Sequence, residues 1–307
     1  MRAVWSFWSK PFLGEKGRIW RSPFHHLLAW GLSLRLARRH FPETMLVTDT
    51  PGKALLVDSL GLSFTHISTE LDQLGDIDSG WWALGKLAAY RMQQQPFIHL
   101  DTDVFLWKPL PAGMLSASVF AQCREEHPPL DSWCGPEDVE RAFLTHSIPL
   151  PAEWEWSRSR RLHCYREANC GIMGGNHIEF IHYYADLAID LVLNSVNASA
   201  WEMFPDHAGY NMVVEQFLLD ACYEFHRSHP QSPFRGIHMR YLFPTQTEAF
   251  DSRAAERAGF THLLGDAKRD PFIARRLEER TQREDMNFYR HCVQLSRNRS
   301  ALSSSYA

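Results

Sequence analysis

The sequence predicts an α/β protein with a largely parallel central sheet flanked by helices. Three observations carry that prediction. Short apolar runs alternate with helical patterns through the first hundred residues, as in successive βα units. The 307 residues, 45% hydrophobic and 13% aromatic, suffice for a sizeable core. No internal repeat divides the chain.

Strands are expected at Ala3 to Trp8, Thr44 to Thr48, Leu62 to Ile67 and Phe97 to Leu100. Between the first two, Pro23 to His40 carries Leu27, Leu28, Leu32, Leu34 and Leu36 on a helix whose end gathers basic residues. A helix over Gly80 to Gln94 feeds the FIHL strand, which Pro96 opens because proline lacks a ladder donor. After a strand at Ser116 to Gln122 the texture changes. Residues 124–163 are rich in proline, tryptophan and charge, with one short helix at Glu137 to Leu144; they read as an insertion or lid, too short and polar for a core of their own. The chain resumes with helices at Ile178 to Asn194 and Asn211 to Phe225 and a short strand at Ile237 to Met239. The expected division is one domain over 1–270 and a C-terminal helical extension over 271–307, with one long polar helix from Pro271 to Leu295 and a disordered tail.

A net charge of -4 gives no basic field to gather nucleic acid, so no nucleic-acid partner is expected. No apolar run approaches the roughly 20 residues of a transmembrane helix, and the opening MRAVWSFWSKPF lacks the features of a signal peptide. The reading is a cytoplasmic protein without a transmembrane segment. Six cysteines at irregular spacings, with no CxxC, suggest neither a zinc site nor a disulfide framework.

The segment FIHLDTDVFLW sets Asp101 and Asp103 in an apolar frame, where an unpaired charge is costly. The chain holds its own control: Asp76-Ile77-Asp78 has the same spacing, but there Asp78 or Ser79 can cap the following helix. Asp101 and Asp103 instead end a strand expected at the centre of a parallel sheet, where α/β folds bind ligands. Two hard oxygen ligands suit Mg²⁺ or Mn²⁺. In the stretch THLLGDAK, His262 offers an imidazole that favours Mn²⁺ over Ca²⁺, Gly265 close backbone approach to a phosphate, and Lys268 a positive charge for a diphosphate.

In order, the chain carries Lys86, Asp101-Thr102-Asp103, Asn169-Cys170-Gly171, Glu215-Gln216 and the H-x-x-G-x-x-K run from His262 to Lys268. This series resembles the glycogenin-like and bacterial lipopolysaccharide galactosyltransferase-like retaining glycosyltransferases. It departs from them where Arg269-Asp270 replace the usual Pro-Trp and where Glu215 replaces the usual aspartate. The resemblance implies a GT-A fold, a nucleotide-sugar donor (a UDP-sugar), Mn²⁺ or Mg²⁺ held by Asp101, Asp103 and His262, and transfer with retention to an acceptor that the sequence does not identify. It also implies donor contacts from Lys86, Thr102, Asn169, Gly171, Gly265 and Lys268. Glu215 and Gln216 become the candidates for the far side of the sugar ring, as paired carboxylates act in glycosidases. Plainer uses stay open: a solvated helix lysine for Lys86, a turn for Asn-x-Gly, and the wet side of an amphipathic helix for Glu215-Gln216. Trp133, Trp154 and Trp156 could form an acceptor platform or pack as core. Two other functions share the fold, a non-catalytic nucleotide-sugar-binding module and a sugar nucleotidyltransferase; the second would start with a Gly-rich phosphate loop that SFWSKPFLGEKGR matches poorly.

Overall fold

The computed structural model describes residues 1–14, 19–128, 134–161 and 164–302. Among the described residues eleven strands run in chain order: β1 (Arg2–Phe7), β2 (Thr44–Thr48), β3 (His66–Ser68), β4 (Phe97–Leu100), β5 (Val104–Leu106), β6 (Val119–Ala121), β7 (Arg124–His127), β8 (Tyr165–Ala168), β9 (Ile172–Gly175), β10 (Met239–Tyr241) and β11 (Phe260–His262). Seven of them form the central sheet in the order β10-β6-β9-β4-β1-β2-β3. Only β9 is antiparallel to its neighbours, so the sheet is mostly parallel, as expected. Two ribbons, β11 with β5 and β7 with β8, stand apart from it.

The eight longer helices are α1 (Pro23–Ala37), α2 (Leu84–Arg91), α3 (Pro136–Thr145), α4 (Ala152–Arg160), α5 (Ile178–Leu193), α6 (Leu218–Ser228), α7 (Pro271–Glu284) and α8 (Met286–Leu302). Strand residues alternate between two faces, and β1 shows it: Val4 joins one core with Leu87, Phe97 and Phe180, while Ala3, Trp5 and Phe7 join the other with Leu28, Trp30 and Ile98. Because β1 and β4 are parallel neighbours, their carboxyl ends open side by side at one edge of the sheet.

Several expected elements change in extent, each for a local reason. The strand foreseen from Leu62 shrinks to the edge strand β3, because Thr65 spends its hydroxyl on the Thr44 carbonyl. The helix foreseen from Gly80 begins at Leu84, since Asn211 ties down the preceding turn by accepting from Ala83 N and donating to Gly80 O, both at 2.7 Å. Residues 134–161 do not cover the sheet as a lid: α3 and α4 supply Val139, Phe143 and Trp154 to the main core. Trp154 is therefore no platform, and Trp156 packs edge-on against Phe225 and His229. Trp133 and the end of the C-terminal tail fall outside the described residues.

The single C-terminal helix is in fact two. Asp285 breaks the run with an extended backbone, and its side chain accepts from Phe288 N at 2.9 Å, capping α8. Both helices clamp α1. Leu277 and Cys292 are buried in its core, His25 meets Glu278 at 3.2 Å, and Arg35 and Arg39 pair with Asp285 and Glu284. Gly31 is required at the crossing, because a β-carbon there would stand 2.0 Å from the Phe288 ring. All six cysteines are free.

Candidate metal and donor site

Asp101 follows directly on β4, and its backbone N–H donates to Gly171 O at 3.0 Å, which fixes the strand end against the start of β9. Two residues on, Asp103 is only 6% exposed in its side chain, and its carbonyl accepts from Leu263 N at 3.1 Å. The antiparallel β5–β11 ribbon pairs Val104 with His262, and this pairing carries the histidine back to the carboxylates. Ligand atoms of Asp101, Asp103 and His262 come within 4.8 Å of one another. The three residues foreseen as metal ligands are thus gathered at one point.

Each carboxylate has its own lysine. Lys268 Nζ lies 2.5 Å from Asp103 Oδ2, and His262 Nε2 lies 3.5 Å from Oδ1. Burial alone would raise the Asp103 carboxyl, but Lys268 and His262 outweigh it and hold the group well below the ordinary carboxylate range. Lys86, on α2, stands 3.0 Å from Asp101 Oδ1 and 2.8 Å from Glu215 Oε1, and donates to Cys170 O at 3.2 Å. Burial would discharge this lysine, yet its two carboxylates keep it charged, with a pKa above the usual value. One cation serves two acids, so burial pushes both Asp101 and Glu215 upward, with Lys86 opposing. For Asp101 the push is moderated by solvent, since its side chain is 26% exposed.

A cleft of about 560 Å³ opens over this cluster. Of the residues foreseen for the site, Lys86, Asp101, Thr102, Asp103, Asn169, Gly171, Gln216, His262, Gly265 and Lys268 line it. Glu215 does not. It is fully buried behind Lys86, where Tyr90 OH donates to Oε1 at 2.8 Å and Tyr184 OH donates to its backbone carbonyl at 2.6 Å. Both members of the Glu-Gln pair lie in a π-helical turn, Val213–Phe217, and only Gln216 reaches the cleft. Its Oε1 is buried without a hydrogen-bond partner, and its Nε2 lies 3.3 Å from Met212 Sδ.

The N-x-G turn is largely occupied with structure. Asn169 Nδ2 donates to Glu125 Oε1 at 2.8 Å, and Oδ1 accepts from Gly171 N at 3.0 Å. Gly171 has a steric reason to be glycine: a β-carbon there would stand 2.4 Å from the His262 ring and 2.6 Å from Gln122 Oε1. Gly265 adopts a positive φ of 49°, which glycine takes without strain, and opens the turn that ends at Lys268.

Three contributors went unforeseen. His99, two residues before Asp101, is buried, accepts or donates at Ser6 Oγ (2.9 Å), and has its basicity pushed well down by burial and then by Lys86. Gln122 holds His262 Nδ1 at 2.7 Å. Aromatic residues from the first thirty positions, among them Phe7, Phe12, Trp20 and Trp30, wall one side of the cleft, with Lys268 Nζ 5.9 Å from the Trp20 ring centre. A polar residue closing an apolar strand run was the available signal for Gln122, the same signal that marks Asp101.

Residues 1–295 match the family described as "Family of unknown function (DUF6734)", and the chain belongs to that family. No curated protein matches the sequence. Among the described residues, no helix is long and apolar enough to cross a membrane.

Proposed function

We propose that this member of the DUF6734 family is a metal-dependent glycosyltransferase of GT-A type, transferring a sugar from a UDP-sugar or a related nucleotide-diphosphate sugar to an acceptor. The observation that carries the reading is the convergence of Asp101, Asp103 and His262, from two distant segments, at the head of a cleft beside Lys268. Two carboxylates and an imidazole form a donor set that fits Mn²⁺, or Mg²⁺. When bound, such an ion supplies Lewis-acid stabilisation to a departing diphosphate.

The chain's own residues divide the remaining work. Lys268, close to Asp103 and hinged on Gly265, places a positive charge where diphosphate oxygens would lie. The aromatic wall offers faces for a nucleobase. Gln216, the member of the pair that lines the cleft, is placed to hydrogen-bond a sugar hydroxyl. Glu215 acts one layer behind, holding Lys86 charged and aimed at Asp101. Retention at the anomeric carbon rests on the family resemblance alone.

The test is a screen of nucleotide diphosphates and their sugars for thermal stabilisation with and without Mn²⁺, repeated on Asp103→Ala. The reading expects one nucleotide class to raise Tm only with metal and only in the wild type. Failure of every nucleotide to do so would refute it. A turnover assay then separates an enzyme from a binding module: Gln216→Ala should lower kcat by about 10²-fold or more while Mn²⁺ affinity holds.

A further inference from the structure

His262 can present only one ring nitrogen to the carboxylates, and its surroundings determine which. Nε2 lies 3.5 Å from Asp103 Oδ1, while Nδ1 lies 2.7 Å from Gln122 Oε1. A carbonyl oxygen only accepts hydrogen bonds, so this contact requires the proton on Nδ1. In the neutral ring the lone pair is then on Nε2, directed at Asp103, and a divalent ion held between the two would take both as ligands.

Gln122 is built to hold that arrangement. It is 1% exposed, at the end of β6. Its backbone is tied on both sides, its N–H donating to Asn169 O and its carbonyl accepting from Phe243 N, each at 2.9 Å. The side-chain amide and the imidazole share the space left by the missing side chain of Gly171. Gln122 forms no part of the lining of the cleft over the carboxylates, although with His262 it borders a separate cavity, so it reaches that cleft through the histidine.

We propose that Gln122 is a positioning residue that locks His262 as the Nδ1–H tautomer and turns Nε2 outward as the metal-ligating atom. The inference rests on the metal reading above for its second half, and its first half stands on geometry alone. Outer contacts of this kind typically govern ligand orientation and metal affinity.

Two substitutions of similar length separate the roles. Gln122→Glu keeps an acceptor at the same reach, whereas Gln122→Met fills the space with no strong acceptor. Long-range ¹H–¹⁵N NMR of the metal-free protein with neutral imidazole reads the tautomer directly. Wild type and Gln122→Glu should show His262 protonated on Nδ1, and Gln122→Met should shift it toward Nε2–H. Calorimetric titration with Mn²⁺ should then give an affinity about 10- to 100-fold weaker for Gln122→Met and within about threefold of wild type for Gln122→Glu. An Nε2–H tautomer in the wild type, or an unchanged tautomer and affinity in a folded Gln122→Met protein, would overturn the proposal, because mere packing predicts the latter. The expected tautomers with no Mn²⁺ binding by the wild type would instead overturn the metal reading, and with it the ligating role given to Nε2.

Discussion

Asp76-Ile77-Asp78 and Asp101-Thr102-Asp103 are two D-x-D triplets in one chain, and in both the second aspartate meets a histidine. At Asp78 the partner is His207, with Nδ1 at 2.6 Å from Oδ2; its Nε2 is also engaged, 3.1 Å from Trp201 O, and the ring stacks on Trp81 at 4.6 Å. The carboxylate is half exposed and its other oxygen accepts from Gly80 N at 3.0 Å. Every polar atom of that pair faces a protein partner, which leaves it a structural clasp at a turn. At Asp103 the histidine's second nitrogen is held by Gln122, the first is aimed inward, and a second carboxylate stands alongside. Spacing does not separate the two triplets, and neither does the histidine's far nitrogen, which meets a carbonyl oxygen in both; the second carboxylate and the cleft at Asp103 do.

The largest expected effect of breaking this contrast comes from Asp103→Asn, which keeps shape and removes charge. Mn²⁺ affinity should fall by about 100-fold or more, since the ligand anion is lost, whereas Asp78→Asn should leave it within about twofold; calorimetry on both compares them directly. Gly171→Ala is next. A β-carbon pressed into the His262 ring and Gln122 should cost about 1–3 kcal/mol of stability in a denaturant melt and loosen Mn²⁺ binding by roughly tenfold through the displaced ligand.

A buried carboxylate without a lysine sharpens the comparison. Glu167 meets His127, 3.5 Å away, and hydrogen-bonds with Tyr165. Burial, opposed by His127, raises its pKa to about 7. The folded state therefore binds this proton more tightly than the unfolded chain does. Stability is favoured at low pH and declines as pH rises from the ordinary carboxylate range to about 7. Glu167→Gln should remove that decline, gaining on the order of 1–3 kcal/mol over wild type above neutrality and little at pH 4, as urea melts across pH would record. The smallest effect belongs to Asp78→Asn, which weakens the Gly80 contact and the His207 pair at an exposed turn and should cost roughly 0.5–1 kcal/mol of stability.

Much of this architecture was legible in the sequence. FIHL ends in Asp101 because a fully buried strand must surface somewhere, and the end of a parallel strand is where a carboxylate meets solvent and ligand. His262 and Lys268 became visible through the ordered motifs between. Glu215 misled for a specific reason: a period of 3.6 assigns faces along MVVEQFLLD, and the π-helical turn at Val213–Phe217 breaks that period, leaving Gln216 on the cleft and Glu215 in the core. Gln122 was hidden because its work is done on another side chain, across a pairing that joins β11 to β5 rather than to the central sheet. The division of the C-terminal helix was written in Asp285, whose capping of Phe288 a reading by charge alternation passes over.

The central claim, that Asp101, Asp103 and His262 hold one divalent ion, is most directly tested by pulsed electron paramagnetic resonance of bound Mn²⁺ in ¹⁵N-histidine-labelled protein. The proposed metal reading predicts a single bound ion with coupling to one histidine nitrogen, lost in His262→Gln. Bound Mn²⁺ without any histidine coupling, or a coupling that survives His262→Gln, would contradict it.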